Sequence, residues 1–405
     1  MMEGALEAAT KNNRFPTRVP IIGYYSRYMI GSHVWHIQIV LVMLVCIVLA
    51  VDISPWVGSV WSGAASKGMI LSVAAVLRFS TYRALDITAQ VFPIACVLGM
   101  FWTEAAHSGS GQRLIILTTG RSHFRSTTPL VVIALAATII QFGLDNHVRP
   151  LAVMQLIKEQ LGSYHNYVDR GAPDQSIWLS LGDDILRAKV DPAEPAFFAA
   201  LEYYRFGKHT LRDVTIAAEA RPTASGDTRS WLFLDGKTWA FSRDKRHSSA
   251  GSATRYPSET FEMREVELPV DPLWLRYRGI EPKYLPAAVL RMMAQSQGIP
   301  SDQPNYAAWL QLRTAQAFIP GMLGLLAAAI FYLLYDRFSS TFAGMVSLAL
   351  GYFGFAFMRL MTVIGEHAIV PPLIAAWSLP AMLLISSAAA FWQLAKYDRA
   401  FPKRF

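Results

Sequence analysis

The fold of this chain is decided at the two edges of its central third, where apolar sequence stops and later returns. Residues 127–144 read TTPLVVIALAATIIQFGL, and residues 316–335 read QAFIPGMLGLLAAAIFYLLY. Each run is close to the roughly 20 apolar residues that a helix needs to cross about 30 Å of hydrocarbon. Between them lies a polar insertion, residues 146–315. The sequence therefore predicts one soluble domain inserted between two membrane-embedded parts.

Four more apolar runs complete this plan. Two precede the insertion, at 34–53 and 84–103, and two follow it, at 341–364 and 371–395. The composition agrees, since 53% of the 405 residues are hydrophobic and only 16% are charged, whereas a soluble domain usually carries about 25% charged residues. We predict a polytopic α-helical membrane protein with six transmembrane helices in a 3+3 arrangement.

The basic residues predict which side of the membrane each segment faces. The formal net charge is +8, and many cations sit in three segments beside the predicted spans, where membrane topology explains them without nucleic acid. With six spans these segments share one side, which the positive-inside rule makes the cytoplasm, so the inserted domain lies on the outer side. The cations are Lys11, Arg14, Arg18 and Arg27, then Arg113, Arg121 and Arg125, and finally Lys396, Arg399, Lys403 and Arg404.

The second predicted span has an unusual start. Residues 67–79 are fairly apolar, but Arg78, Arg83 and Asp86 fall where they meet the run 84–103. A charge at the centre of a span costs about 2.5–3.5 kcal/mol on insertion scales. We therefore interpret residues 67–82 as an interfacial or partly buried helix that leads into the span.

The chain divides into an N-terminal transmembrane part, 1–145, the inserted domain, 146–315, and a C-terminal transmembrane part, 316–405. Short strand patterns fill the insertion, with hairpin turns expected at Gly182-Asp183-Asp184 and at Asp235-Gly236. This spacing predicts an all-β sandwich, jelly roll or open barrel-like sheet. Helices are predicted on either side of it, at 150–162 and 285–297.

The sequence contains none of the common catalytic motifs. It has no P-loop, no HExxH and no GxSxG pattern, and its nine histidines lack metal-ligand spacing. Both cysteines, Cys46 and Cys96, lie in predicted spans. We expect no enzyme activity, no cofactor and no metal, and interpret the chain as a mechanical or conducting component.

Several charged residues near the spans are candidates for function. Lys67, Arg78, Arg83 and Arg149 lie near the outer ends of spans, where they either anchor the chain at the interface or form a basic rim for a phosphorylated lipid headgroup; the residues alone favour anchoring. Arg359 lies inside the fifth span, and an intramembrane arginine suggests function. The favoured alternative is a structural role for Arg359, either as a pair with Glu366 or Asp86 or as a snorkelled contact with lipid headgroups.

The loop after the second span contains a short apolar helix. It runs from about residue 111 to 119 and includes Gln112, Arg113, Leu114, Ile115 and Ile116, and Gly120 ends it as a C-terminal cap. The segment is too short to cross a membrane. Two interpretations are equally supported by the pattern: insertion into a groove of a cytoplasmic partner, or an interfacial helix lying on lipid.

With these features in place, the chain resembles the LptF/LptG family, the permease subunits of the transporter that exports lipopolysaccharide, over nearly its whole length. Its closing segment looks more like the LptG branch than the LptF branch. Besides the 3+3 plan, the resemblance is carried by Phe92-Pro93-Ile94-Ala95 with Leu98-Gly99, Thr119-Gly120-Arg121-Ser122, Val148-Arg149-Pro150, Ser230-Trp231, the run Leu285, Gly298, Tyr306, Leu310 and Arg313, and the run Gly365, Pro371-Pro372, Ala375-Ala376-Trp377 and Pro380.

The resemblance implies a function and a set of partners. The chain would be a multi-pass protein of the bacterial inner membrane that forms a heterodimer with a second LptF/LptG-type permease. The inserted domain would be a periplasmic jellyroll that passes lipopolysaccharide to an LptC-type bridge protein. A cytoplasmic LptB-type ATPase dimer would drive export through the helix at 111–119. The basic rim would then hold the phosphates of the lipid, with no nucleic acid involved.

One position departs from the family pattern. Family members usually carry a glutamate in the coupling helix that faces an arginine of the ATPase, and Gln112 occupies that position here, followed by Arg113 in place of an apolar residue. A neutral amide keeps a hydrogen bond but loses the ion pair, so we expect a compensating change in the ATPase. The alternative function, of a different class, is a membrane-anchored enzyme or sensor with a periplasmic β-domain.

Overall fold

The computed structural model is predominantly helical. It describes residues 23–66, 68–112, 115, 118, 123–164, 176–190, 197–207, 210–223, 230–241, 256–296, 305–335 and 338–400. Before the sheet lie α1 (Tyr24–Ile53), α2 (Val57–Ala65), α3 (Met69–Gly109), α4 (His123–Gly143), a π-helical turn (Leu144–Val148), α5 (Arg149–Lys158) and a 3₁₀ turn (Gly162–Tyr164). After the sheet come α6 (Pro272–Tyr277), a 3₁₀ turn (Pro282–Tyr284), α7 (Ala287–Gln295), α8 (Tyr306–Gln316), α9 (Ile319–Tyr335), α10 (Ser340–Glu366) and α11 (Pro372–Ala400).

Five helical stretches among the described residues are long and apolar enough to cross a membrane. A sixth candidate is the pair α8 and α9, which is bent by 43° at a short break. The protein thus has five to six candidate spans in addition to its sheet. The five stretches are Tyr24–Ile53, Met69–Gly109, Ser126–Lys158, Thr341–Glu366 and Pro372–Lys396.

Helix α3 differs from the interpretation of its start as a separate interfacial helix. It runs unbroken for 41 residues, from Met69 to Gly109, which at 1.5 Å per residue is roughly 60 Å. That length is about twice the thickness of the hydrocarbon layer. The helix continues through Arg83 and Asp86 because both side chains have partners of opposite charge.

The membrane part packs around α9, whose buried face contacts α3, α4, α10 and α11. Small residues allow this close approach: a Cβ on Gly321 would lie 2.2 Å from the carbonyl oxygen of Ala134, and one on Gly324 would lie 2.4 Å from the sulfur of Met100. By contrast, α1 and α10 are mostly exposed. In the most apolar 18-residue stretch of each helix, only 11% of α1 and 28% of α10 is buried.

The strands form one antiparallel sheet in which neighbours follow chain order, β1-β2-β3-β4-β5-β6. This meander is the open-sheet alternative, and the second sheet of a jelly roll is absent from the strands that the structure describes. The turn predicted at Gly182-Asp183-Asp184 is present but one residue shorter: Gly182 and Asp183 join β1 to β2, and Asp184 begins β2, paired with Leu181. The strands are β1 (Ser176–Leu181), β2 (Asp184–Val190), β3 (Phe198–Gly207), β4 (Thr210–Pro222), β5 (Ser230–Ala240) and β6 (Ser258–Glu267).

The hairpin predicted at Asp235-Gly236 is wrong. Both flanking runs belong to the single strand β5, which pairs with β4 along one edge and with β6 along the other. Asp235 has a φ of 47°, so the local irregularity expected of a turn is present, but the strand continues through it. Glycine is favoured at position 236 because a Cβ there would lie 2.8 Å from the backbone oxygen of Ile216 and 2.3 Å from the ring of Phe261.

The sheet is attached to the membrane part through a shared hydrophobic core. Trp231 on β5 is fully buried, and its indole N–H donates to the carbonyl of Val270 at 2.9 Å. The same core includes Trp274 on α6, Leu290 on α7 and Trp309 on α8. Because α8 continues into α9, the sheet is connected to the helix at the centre of the bundle.

Candidate functional site

Six charged side chains from separate parts of the fold converge where α1 ends and α5 begins. We call them the charged cluster. Three are arginines and three are aspartates, so the cluster is close to neutral as a whole. Its members are Asp52 on α1, Arg83 and Asp86 on α3, Asp145 in the π-helical turn, Arg149 on α5 and Arg313 on α8.

Arg83 connects α3 to α1. Its guanidinium donates to both carboxylate oxygens of Asp52, each at 2.6 Å, in the two-pronged geometry that makes arginine–carboxylate pairs strong. It also donates to the hydroxyl oxygen of Tyr164 at 2.6 Å and lies over that ring. All three guanidinium nitrogens of Arg83 therefore donate hydrogen bonds to groups of the protein.

Asp86 is the centre of the charged cluster. Its carboxylate is fully buried and is shared between two arginines: Arg83 pairs with one oxygen, and Nε of Arg149 lies 2.8 Å from the other. Arg149 also approaches Asp145 at 3.8 Å. An unpaired charge is expensive to bury, so the carboxylate of Asp86 and the two guanidinium groups have to stay together. The shared carboxylate thereby links α3 to α5.

The 3₁₀ turn Pro282–Tyr284 and the residue after it supply further contacts of Arg149 and Arg313. The ring of Tyr284 lies 5.2 Å from the guanidinium carbon of Arg149. Burial, with the Asp86 carboxylate as the next cause, raises the pKa of Tyr284 to about 12, so the phenol stays neutral. Arg313 is buried and donates to the carbonyl oxygens of Pro282 and Leu285 at 2.7 and 2.8 Å.

A polar cavity of about 400 Å³ opens beside the charged cluster, between α3, α4, α8 and α10. Four cationic side chains line it, Arg149, Lys283, Arg313 and Arg359, whereas Asp145 is its one acidic lining residue among those described. The amides of Gln90, Gln141 and Gln316 add neutral hydrogen-bonding groups. Acidic partners just outside the lining offset part of this charge, since Lys283 pairs with Glu281 and Arg149 with Asp86. The cavity therefore suits an anionic group chiefly beside Arg359, the cation that keeps no acidic partner among the described residues.

Arg359 enters this cavity from α10. The pairings expected for it, with Glu366 or with Asp86, are both absent among the described residues. Asp86 is occupied by Arg83 and Arg149, and Glu366 accepts from the indole of Trp309 at 3.4 Å. Within the part of the chain that the structure describes, the exposed Arg359 guanidinium has no acidic partner.

An apolar cavity of about 170 Å³ adjoins the polar one, and Pro93 and Phe355 line both. Together the two cavities place an apolar pocket next to a cationic one, which suits an amphiphile. The remaining lining of the apolar cavity is Ile94, Val97, Leu98, Ile319, Leu323, Leu348, Gly351 and Tyr352.

The predicted basic rim is thus only partly brought together. Arg83 and Arg149 meet at Asp86, but Arg78 lies apart, nearer the N-terminus of α3, where it pairs with Glu159 at 3.3 Å with 54% of its side chain exposed. Lys67 lies outside the described residues. Of the rim residues, Arg149 lines the polar cavity, whereas the charge of Arg83 is used in holding α1 to α3.

At the opposite end of α3 lies the start of the predicted coupling segment. Gln112 accepts a hydrogen bond from the hydroxyl of Tyr28 on α1 at 3.2 Å, and 63% of Ile115 is exposed. Arg113, Leu114, Ile116 and Gly120 lie outside the described residues.

Several residues of this arrangement were not selected from the sequence. Asp145, Lys283 and Arg313 fall at the ends of apolar runs or in the insertion, where sequence gives them no common location. Glu104 and His33 were also missed, because each lies one residue outside a predicted span, 84–103 and 34–53 respectively. Helices α1 and α3 extend past those runs and contain both residues, and ionisable residues in membrane-spanning helices are themselves an indication of function.

Comparisons with known proteins agree with this architecture. A family model described as the lipopolysaccharide export system permease LptF/LptG matches residues 27–393, which include the sheet, the charged cluster, the polar cavity and all but the outermost three residues of the first and last candidate spans. Comparison with curated proteins gives no match. Because the family match covers most of the chain, the chain belongs to the LptF/LptG family of lipopolysaccharide export permeases.

Proposed function

We propose that this chain is the permease subunit of an ABC transporter that extracts lipopolysaccharide from the inner membrane, driven by a separate cytoplasmic ATPase. The observation that carries the proposal is the family match over residues 27–393. The chain would pass the lipid to a periplasmic bridge protein through its sheet. It would contribute no ATPase site of its own and would act by changing shape.

The exposed helices support pairing with a second permease. Helices α1 and α10 leave broad apolar faces uncovered, including Val42, Ile47 and Val51 on α1 and Tyr352 and Phe353 on α10. In a membrane such faces meet lipid or another helix. We place a second LptF/LptG-type permease there, so that the lipid enters between the two chains.

The polar cavity is our proposed site for a phosphate of the lipid. Four cations surround a space next to apolar walls, where Coulomb attraction is stronger than in bulk water. Arg359 is the most informative member, since it has no acidic partner among the described residues, and a bound phosphate would supply one. Arg78 and Lys67 remain proposals for an outer rim, and Arg83 is assigned to holding the helices.

The coupling segment at 111–119 is our proposed contact with the ATPase. Exposed Ile115 is available for an apolar groove. Gln112 would give the ATPase a hydrogen bond without an ion pair, so the facing residue of the ATPase is expected to differ from the usual arginine.

One purification tests the proposal. The full chain is isolated from its native membrane in mild detergent, and the copurifying proteins and lipids are identified by mass spectrometry. We expect an ATPase, a second permease, an LptC-type protein and lipopolysaccharide. In the variant Arg359→Ala we expect the same proteins with less lipopolysaccharide per chain, because the cavity loses its unpaired cation.

The matched control is Arg291→Ala. Arg291 is an exposed arginine on α7 and is not among the residues lining the polar cavity, so its removal should leave bound lipid unchanged. Equal lipid loss in both variants would reject the cavity as the phosphate site. Purification of the parent chain without an ATPase, or with soluble signalling proteins alone, would reject the transporter and favour a membrane-anchored sensor.

A further inference from the structure

A second group of ionisable side chains is buried between α1 and α3, far from the charged cluster. His33 on α1 and Glu104 on α3 have 0% and 1% of their side chains exposed, and Nε2 of His33 lies 3.1 Å from Oε1 of Glu104. His107, one turn further along α3, is also buried, and its ring stacks on that of His33 with centroids 6.4 Å apart. We call these three residues the histidine–glutamate cluster.

The geometry requires one proton between His33 and Glu104. Nδ1 of His33 lies 2.8 Å from the carbonyl oxygen of Met29, which can only accept, so Nδ1 carries a hydrogen. The contact between Nε2 of His33 and the carboxylate of Glu104 then needs a further proton, and this is the proton that the two residues share. It is held either by His33 as an imidazolium or by Glu104 as a carboxylic acid. Without it, a nitrogen lone pair would face a buried carboxylate.

Contacts connect this cluster to the coupling segment. Nε2 of His107 lies 3.0 Å from the hydroxyl of Ser32 on α1. The ring of Tyr28 meets the ring of His107 edge-on at 5.8 Å, and its hydroxyl donates to Gln112. A continuous set of polar and ring contacts therefore runs from Gln112 through α1 to the pair of His33 and Glu104.

Such a pair is an unusual way to join two helices that already pack tightly. A Cβ on Gly99 of α3 would lie 2.5 Å from Cα of Ile37, so α1 and α3 are in close contact nearby without any charge. Burying an ion pair adds little net stability relative to apolar packing, but removing one partner is costly. The pair therefore favours one relative position of α1 and α3 over others.

We propose that His33, Glu104 and His107 are positioning residues that make α1 move together with the segment beginning at Gln112, through one proton shared by His33 and Glu104. The proposal rests on the proposed function only in taking that segment as the ATPase contact. Movement imposed at Gln112 would reach α1, the helix whose apolar faces are uncovered. Loss of the proton would release α1.

Other titratable groups around the pair are few among the described residues. His36 and Tyr28 stand on α1, and Nδ1 of His36 lies 2.8 Å from the carbonyl oxygen of Ser32. Helix α9 contributes Tyr335, whose hydroxyl donates to the carbonyl of Ser108, and Tyr25 donates to the carbonyl of Ser126 on α4. The nearest arginine in sequence, Arg27, is exposed. The charge of Glu104 thus has the imidazoles as its immediate partners.

The test measures a distance across the linkage in the full chain. Spin labels are placed at Ile47→Cys on α1 and Ile115→Cys in the coupling segment, both exposed, with exposed Cys46 changed to Ala and buried Cys96 retained. The chain is held in nanodiscs of phosphatidylethanolamine and phosphatidylglycerol, and double electron–electron resonance gives the distance distribution at neutral pH.

We expect one narrow distribution in the parent chain, where the shared proton joins His33 to Glu104. Glu104→Gln should also be narrow, because an amide N–H can donate to Nε2 of neutral His33 and so replaces the shared proton. Glu104→Ala and His33→Ala should be broad. His36→Gln is the matched control on the same helix and should behave as the parent chain does.

Three outcomes would overturn the proposal: a broad distribution in the parent chain, a broad distribution in Glu104→Gln, or a narrow distribution in Glu104→Ala. If an alanine variant fails to fold, the comparison of the parent with Glu104→Gln still decides. The measurement needs no ATPase, so its result is separate from that of the purification, which tests the transport function itself.

Discussion

Asp86 is the residue on which the charged cluster depends, because two arginines share its carboxylate. In Asp86→Ala, Arg149 would keep only its 3.8 Å approach to Asp145, and Arg83 would keep Asp52. Removal of one partner from a buried ion pair costs about 3–5 kcal/mol. We therefore expect a clear fall in the unfolding midpoint of the purified chain in detergent, measured by tryptophan fluorescence.

The control is Glu159→Ala, which removes the partner of Arg78. That arginine is 54% exposed, and exposed pairs contribute about 0–1 kcal/mol, so the midpoint should hardly move. Equal effects of the two substitutions would mean that the charged cluster contributes no more than a surface ion pair.

From the sequence, individual residues of the site could be selected, but the contacts between them could not be predicted. Arg149 and Arg359 were selected because each stands beside or inside an apolar run, and both line the polar cavity. What sequence could not supply is the partner of each charge. Asp86 lies 63 positions from Arg149, and only the packing of α3 against α5 decides that Arg83 and Arg149 meet the same carboxylate.

At the scale of elements, the packing of α9 against α4 depends on a glycine. A Cβ on Gly321 would lie 2.2 Å from the carbonyl oxygen of Ala134, and a backbone atom cannot rotate away, so the helices would have to separate. We expect Gly321→Ala to destabilise the chain by about 1–3 kcal/mol, in the range for overpacking. The measurement is the unfolding midpoint in detergent.

Gly63→Ala on α2 is the matched substitution. A Cβ there meets nothing within 4 Å, and alanine is favoured over glycine in a helix by about 0.5–1 kcal/mol, so the midpoint should stay or rise. A midpoint in Gly321→Ala that equals or exceeds that of the parent would show that α4 and α9 are not in the contact described.

Elements were predicted better than their connections. Hydropathy located α1, α4, α10 and α11 because each is one apolar run, and the turn at Gly182 was found from its glycine. The failure at Asp235 has a physical cause. A positive φ followed by glycine is shared by a two-residue turn and by an irregular strand, and the choice depends on whether distant strands β4 and β6 occupy both edges.

At the scale of the whole molecule, the number of membrane crossings depends on the bent pair of α8 and α9. Arg313 on α8 stands with the charged cluster, whereas Tyr335 at the end of α9 donates to Ser108 near the far end of α3. Asp86 and Ser108 are separated by roughly 33 Å along α3 at 1.5 Å per residue. That distance matches the hydrocarbon thickness, so we expect the pair to cross the membrane once.

Cysteine labelling in spheroplasts measures this directly. Single cysteines at Tyr24, Asp183 and Lys396, all exposed, are treated with a membrane-impermeant maleimide, with Cys46 changed to Ala. A 3+3 arrangement predicts that Asp183→Cys reacts in intact spheroplasts and that the other two react only after permeabilisation. Reaction of both Asp183→Cys and Lys396→Cys from outside would make α8 and α9 a re-entrant pair. Reaction of both Tyr24→Cys and Asp183→Cys from outside would instead place an even number of crossings before the sheet.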